Sequence, residues 1–217
     1  MSIRQVGMAS LEFLIGSAMS PFDGLSTIDR MVKAVEMVRE RLLRATAALE
    51  QAGVPYCVIG GNAVAAWVAS VDPSATRNTQ DVDLLVRRSD LDAVRAALEP
   101  VGFRQRHVRG ITMFLDGEQN RVRDAVHLIF ANETVRPDDV VPAPGVEVYE
   151  RFESFRAVPL EKLVTMKLVA NRLKDKVHLI DMLQLGMIDA SWPSRFHPVL
   201  AARLQELIDY PEEDLFA

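Results

Sequence analysis

The segment Thr79-Gln80-Asp81-Val82-Asp83-Leu84-Leu85-Val86 constrains this chain more than any other. Strand side chains alternate faces, so Asp81 and Asp83 point one way and Val82, Leu84 and Val86 the other. Two carboxylates so spaced lie roughly 6.6 Å apart and repel by roughly 2–3 kcal/mol at an effective dielectric of about 20. A sheet gains nothing from such a pair unless its face opens to water or to a cation. Carboxylate oxygens are the ligands Mg²⁺ prefers. A solvated face and a metal-holding floor are the two readings.

The residues just upstream narrow the choice. Tyr56-Cys57-Val58-Ile59 is short and apolar, as a buried strand is, and Gly60-Gly61-Asn62 separates it from a helical run, Ala63 to Val68. Backbone N–H groups at such a helix start point into open space, and paired glycines let an anion approach them closely. Without a ligand, the same residues make a tight strand-to-helix turn with a positive φ.

Around this centre the elements alternate. A helix is predicted from Ser26, capped by Ser26 with Asp29, with an apolar stripe of Met31, Val35, Val38, Leu42, Ala45 and Leu49. Gly53 and Pro55 end it. Ser89 or Asp90 caps a helix to Leu98, and strands follow at Phe103–Val108, Ile111–Leu115 and Ala125–Phe130. Prolines mark residues 136–147 as a connection, with small strands expected at Val146–Tyr149 and Phe155–Val158. Leu163, Met166, Ala170, Leu173, Val177 and Ile180 form a second helical stripe, over one helix or two broken near Lys174-Asp175; a last helix runs from Trp192-Pro193 towards Ile208. The pattern predicts an α+β fold, a small mixed twisted sheet with flanking helices followed by a helical subdomain. The expected divisions are an arm over 1–25, the sheet domain over 26–135, a connection over 136–158 and the helical part over 159–217.

Net charge −5 argues against a dedicated nucleic-acid binder, so any such contact is local. One cysteine, Cys57, cannot form an internal disulfide, which fits a reducing cytoplasm. No stretch is long enough to span a bilayer, so no membrane partner is expected. Met8 to Ser20 is apolar but interrupted by Glu12, and reads as a short helix or arm rather than a signal sequence.

Taken together, Val58-Ile59-Gly60-Gly61-Asn62-Ala63 and Arg77-Asn78-Thr79-Gln80-Asp81-Val82-Asp83-Leu84-Leu85 resemble the signature of the polymerase-beta-like nucleotidyltransferase superfamily, a Gly-Gly or Gly-Ser turn followed by an hDhDh strand. The Arg-x-Thr-x-Asp-x-Asp form is similar to that of abortive-infection-type nucleotidyltransferase toxins. The run Lys167 to Asp175 resembles the helical stretch that follows the catalytic domain there.

The resemblance implies an enzyme that moves a nucleoside monophosphate from a nucleoside triphosphate (NTP) to a hydroxyl on an RNA, a protein or a small molecule. Asp81 and Asp83 would hold Mg²⁺, with two ions possible. Gly60, Gly61, Asn62, Arg77 and Thr79 would bind the nucleotide, and an antitoxin partner is implied by the toxin relatives. Lys167 and Lys174, part of a polar seam with Asn171, His178 and Asp181, are candidates to reach the phosphates, or are snorkelling lysines on a solvated face.

One departure stands out. The third carboxylate expected on a neighbouring strand is replaced by His127, in Asp124-Ala125-Val126-His127-Leu128-Ile129-Phe130. Imidazole can act as a general base or ligate a metal, but is a poorer partner for Mg²⁺. Catalytic candidates are therefore Asp81, Asp83 and His127. Two alternatives stay open: an inactive binding module of the same fold, and an aminoglycoside-type nucleotidyltransferase, which a carboxylate-rich acceptor pocket would favour. A basic cluster, Arg104, Arg106, His107, Arg109, Arg121 and Arg123, with Phe103 and Phe114 nearby, is either an RNA-facing hairpin or, as favoured here, a solvated one.

Overall fold

The computed structural model describes residues 22–117 and 124–211. Arg121, Arg123 and the Met8–Ser20 segment lie outside them. A seven-stranded mixed sheet forms the centre, in the order β3-β4-β5-β2-β1-β7-β6. Its strands are β1 (Tyr56–Ile59), β2 (Val82–Val86), β3 (Phe103–Val108), β4 (Ile111–Asp116), β5 (Ala125–Phe130), β6 (Glu150–Phe152) and β7 (Phe155–Ala157). β2 runs antiparallel to β1 and parallel to β5. The helices are α1 (Thr27–Gln51), α2 (Gly60–Ala69), α3 (Leu91–Leu98), α4 (Leu160–Ala170), α5 (Leu173–Gln184) and α6 (Pro198–Asp209). No described helix is long and apolar enough to cross a membrane.

The two sheet faces are covered differently. α1 lies over the face of Val82 and Leu84, and its buried Arg41 reaches Asp116 of β4 (3.0 Å) and Asp124 before β5 (3.3 Å). On the opposite face the connection after β5 folds back through mutual backbone bonds, Asn132 N–H to Ala143 O and Ala143 N–H to Glu133 O. It lays Val146 against Cys57, whose thiol sits 3.9 Å from the Val146 carbonyl oxygen. Cys57 is fully buried, and burial pushes its thiol up to about 12, as expected of a core cysteine. The connection packs on the Cys57–Leu85 row; in the next row, Ile59–Asp83–His127, Ile59 is buried while Asp83 and His127 stay partly exposed.

Several expected elements shift, each for a local reason. The apolar stripe of α1 is buried only from Leu42 onward, while Ile28, Met31, Val32 and Val35 are exposed on the half that projects past the core. The helix after β1 starts at Gly60 rather than Ala63. No strand forms at Val146–Tyr149: Val146 packs on Cys57 while Glu147, Val148 and Tyr149 are exposed, and the hairpin of β6 and β7 follows. The tail helix breaks at Asn171, which takes the left-handed conformation (φ 47°) that Asn tolerates, rather than near Lys174-Asp175. Trp192–Arg195 forms a separate 3₁₀ turn, and Pro198 starts α6 as its first helical residue.

Candidate functional site

Asp83 is held where three elements meet. Its strand pairs it with Ile59 on one side and His127 on the other. Gly60, immediately after Ile59, has φ +66° and begins α2; a Cβ there would fall 2.1 Å from Asp83 Oδ2. Gly61 is as tightly placed, its missing Cβ only 2.5 Å from Thr79 Oγ1. The two glycines let the start of α2 press directly against the carboxylate strand. Among the described residues no side chain caps that helix start, so its N–H groups are left for another acceptor.

These residues border a cavity of about 380 Å³ between the Ile59–Asp83–His127 row of the sheet, the connection and the α4–α5 corner. Gly60, Asp81, Asp83, His127, Lys167, Arg172, Lys174 and Asp175 all line it. His127 Nδ1 stands 3.8 Å from Asp83 Oδ1, and Lys174 Nζ stands 3.6 Å from Asp81 Oδ2. Among the described residues no donor bonds to the Asp83 side chain. Burial pushes its carboxyl above the usual carboxylate range, Asp81 adds to this, and His127, Lys174 and Lys167 oppose it.

A half-buried carboxylate beside a second one, with no hydrogen bond, is a place a cation would relieve. Mg²⁺ keeps several waters and is commonly held by one or two carboxylates plus substrate phosphates. The donor set therefore suits it, although among the described residues no three His, Cys, Asp or Glu groups converge as a protein-only metal cage.

The remaining sequence candidates divide. Asn62 donates from Nδ2 to the Asp81 carbonyl oxygen (2.7 Å) and so fixes the entry to β2. Thr79 packs on Gly61. Arg77 forms a bidentate pair with Asp181 of α5 (2.6 and 3.0 Å), tying the loop before β2 to the tail; it does not line the cavity. Lys167 borders the cavity, but its buried ammonium donates to Asp175 Oδ1 at 2.8 Å. The break at Asn171 sends Lys174 to the rim instead. Phe103 and Phe114 are buried, so they offer no stacking surface beside the exposed Arg104, Arg106 and Arg109.

Asp175 and Arg172 carry a role their motif did not announce. Asp175 is fully buried and accepts from Lys167, from Arg172 Nε (2.7 Å) and from the Arg172 backbone N–H (3.4 Å). Burial alone would raise its carboxyl; Arg172 and Lys167 hold it below the usual range. Arg172 is thereby fixed at the cavity mouth with half its surface free. The signal was available in the spacing of Arg172 and Asp175, the N-cap and N3 positions of α5.

A family model described as an uncharacterised nucleotidyltransferase matches residues 26–156, and the chain belongs to that family. No curated protein matches the sequence significantly. Among solved structures, that of the antibiotic-resistance factor ANT(2'')-Ia in solution is 16% identical, with 85% of this chain and 95% of that one covered and a TM-score of 0.46. JHP933 from Helicobacter pylori is 15% identical over 84% of this chain and 77% of that one, also with a TM-score of 0.46. ANT(2'')-Ia in complex with adenylyl-2''-tobramycin is 14% identical over 87% and 93%, with a TM-score of 0.38.

Proposed function

We propose that this chain is an active, Mg²⁺-dependent nucleotidyltransferase that transfers a nucleoside monophosphate from an NTP to a hydroxyl acceptor. The observation that carries the reading is the contact of Gly60 with Asp83: an uncapped helix start and a carboxylate without hydrogen-bond donors open side by side into one cavity.

In this reading the start of α2 receives the phosphate tail, and Lys174 and Arg172 add positive charge at the rim. Asp81 and Asp83 hold the ion, which when bound neutralises phosphate charge and polarises the α-phosphoryl group. Asp175 keeps Arg172 aimed at the mouth through two hydrogen bonds to its side chain. The acceptor oxygen forms a bond to the α-phosphorus, the bond to the bridging oxygen breaks, and pyrophosphate leaves with that electron pair. His127, on the far side of Asp83 from Gly60, takes the hydroxyl proton.

The test is isothermal titration of the full chain with ATP, GTP, CTP and UTP, with and without Mg²⁺. One of them binds only with the metal, and Asp81→Asn with Asp83→Asn abolishes the heat. Absence of binding by all four at millimolar concentration sinks the reading.

His127 also favours a second reading, a binding module that has lost turnover, since it stands in register with Asp83, where the superfamily resemblance leads one to expect a carboxylate. The two readings part on label transfer from an α-³²P NTP. Continued nucleotide binding with no transfer to any cellular RNA, protein or small molecule selects the module. The toxin resemblance adds one expectation: overexpression arrests growth, and Asp83→Asn relieves the arrest.

A further inference from the structure

The cavity has two chemically different ends. Gly60 lies on the β1 side of Asp83 and His127 on the β5 side. Past His127 the lining turns apolar, with Ile111, Ile129, Val135, Val141 and Met166. Ile111 and Val135 are 51% and 58% exposed, large apolar side chains left facing solvent at the edge of a site that binds polar phosphates at its other end.

The charges at this end balance, Arg136 against Asp139. Asp139 Oδ2 accepts from the backbone N–H groups of Val135 (3.0 Å) and Arg136 (2.8 Å). Asp175 is committed to Lys167 and Arg172. Apart from Asp81 and Asp83, the described lining therefore offers a cation only Asp139, with the Arg136 guanidinium in the same lining.

Resting on the nucleotidyltransferase reading, we propose that the end beyond His127 is the acceptor subsite, and that it takes an uncharged hydroxyl compound with an apolar or aromatic body rather than a polycation. In-line displacement places the entering oxygen opposite the leaving pyrophosphate. With the phosphate tail on the start of α2, the entering oxygen arrives across Asp83, from the side of His127 and the apolar wall. A ring or alkyl body covers Ile111 and Val135 and loses no hydration energy, whereas a polyamine would shed water against a wall whose single carboxylate, Asp139, is offset by Arg136.

The experiment uses saturation-transfer NMR on the full chain with two hydroxyl probes, N-acetyltyrosinamide, which is neutral and phenolic, and tobramycin, a polycation. The same samples are titrated with Mg²⁺-ATP. The phenol ring takes up saturation and tobramycin does not. Ile111→Asp and Val135→Asp, both at exposed positions, cut the phenol signal at least fivefold and change the Mg²⁺-ATP dissociation constant by less than twofold.

Saturation of tobramycin without the phenol, silence of both probes, or a phenol signal indifferent to both substitutions overturns the proposal. So does a tenfold loss of Mg²⁺-ATP affinity in the variants, which would seat the nucleobase on this wall. Failure of the wild-type chain to bind any nucleotide is read separately in the titration and counts against the nucleotidyltransferase reading, while the two probes still decide the chemistry of the wall.

Discussion

Asp175→Asn tests the buried pair that supports the cavity. The substitution keeps shape but leaves the Lys167 ammonium, 5% exposed, without its partner at 2.8 Å. Breaking a buried pair from one side costs about 3–5 kcal/mol. An independent bound agrees: if Lys167 instead gives up its proton, the cost at pH 7 is about (10.4 − 7) × 1.36, or about 4.6 kcal/mol. For a chain of this size that lowers the melting temperature by roughly 6–20 °C.

The pH dependence identifies the cause. In the variant the folded Lys167 has a depressed pKa, so the unfolded state binds more protons. Stability then rises with pH, by up to about 1.4 kcal/mol per unit, until the unfolded lysine titrates. Lys167→Met combined with Asp175→Leu removes both charges and loses far less than Asp175→Asn alone, since Arg172 turns to solvent. Urea unfolding of the wild type, Asp175→Asn and the double variant at pH 7 and 9 measures both differences. A loss below about 1 kcal/mol in Asp175→Asn, or a double variant as unstable as that single one, refutes the reasoning.

Other outcomes follow from single contacts. Gly60→Ala loses at least about 1–2 kcal/mol from its left-handed φ, and its new Cβ displaces the Asp83 carboxylate; thermal melting and Mg²⁺-dependent nucleotide titration show both losses. His127→Asp restores a third carboxylate, and Mg²⁺-dependent nucleotide binding tightens roughly tenfold, about 1.4 kcal/mol, by titration calorimetry. His178 is half-buried, its Nδ1 is enclosed without a hydrogen bond among the described residues, and burial lowers its pKa to about 4, with Lys167 adding to this. The unfolded histidine takes its proton at higher pH, so stability is lost as pH falls from about 6.5 to about 4. Allowing for partial solvent screening, His178→Gln removes about 1–2 kcal/mol of that acid sensitivity in denaturant melts at pH 5 and 7.

What could be read from the sequence was what repeats with a short period. The alternation in β2 placed Asp81 and Asp83 opposite Val82 and Leu84, and the same period in β5 put His127 beside Asp83 and Asp124 on the other face. Gly60 and Gly61 marked the contact because only a residue without Cβ fits there. Long-range partners were not legible. Nothing in the α1 pattern says that Met31 and Val35 project past the core while Leu42 and Leu49 enter it. Lys167 and Lys174 share helical spacing, and only the left-handed turn at Asn171 sends one into Asp175 and the other to the rim. The apolar wall comes from the connection, β4, β5 and α4, which share no motif.

The most direct test of the account is Mg²⁺-dependent binding of an NTP by the wild-type chain beside its Asp81→Asn, Asp83→Asn double variant, both shown folded by circular dichroism. The account predicts binding that requires the metal and vanishes in the variant. Equal binding by both proteins, or binding by the wild type that ignores the metal, would contradict it.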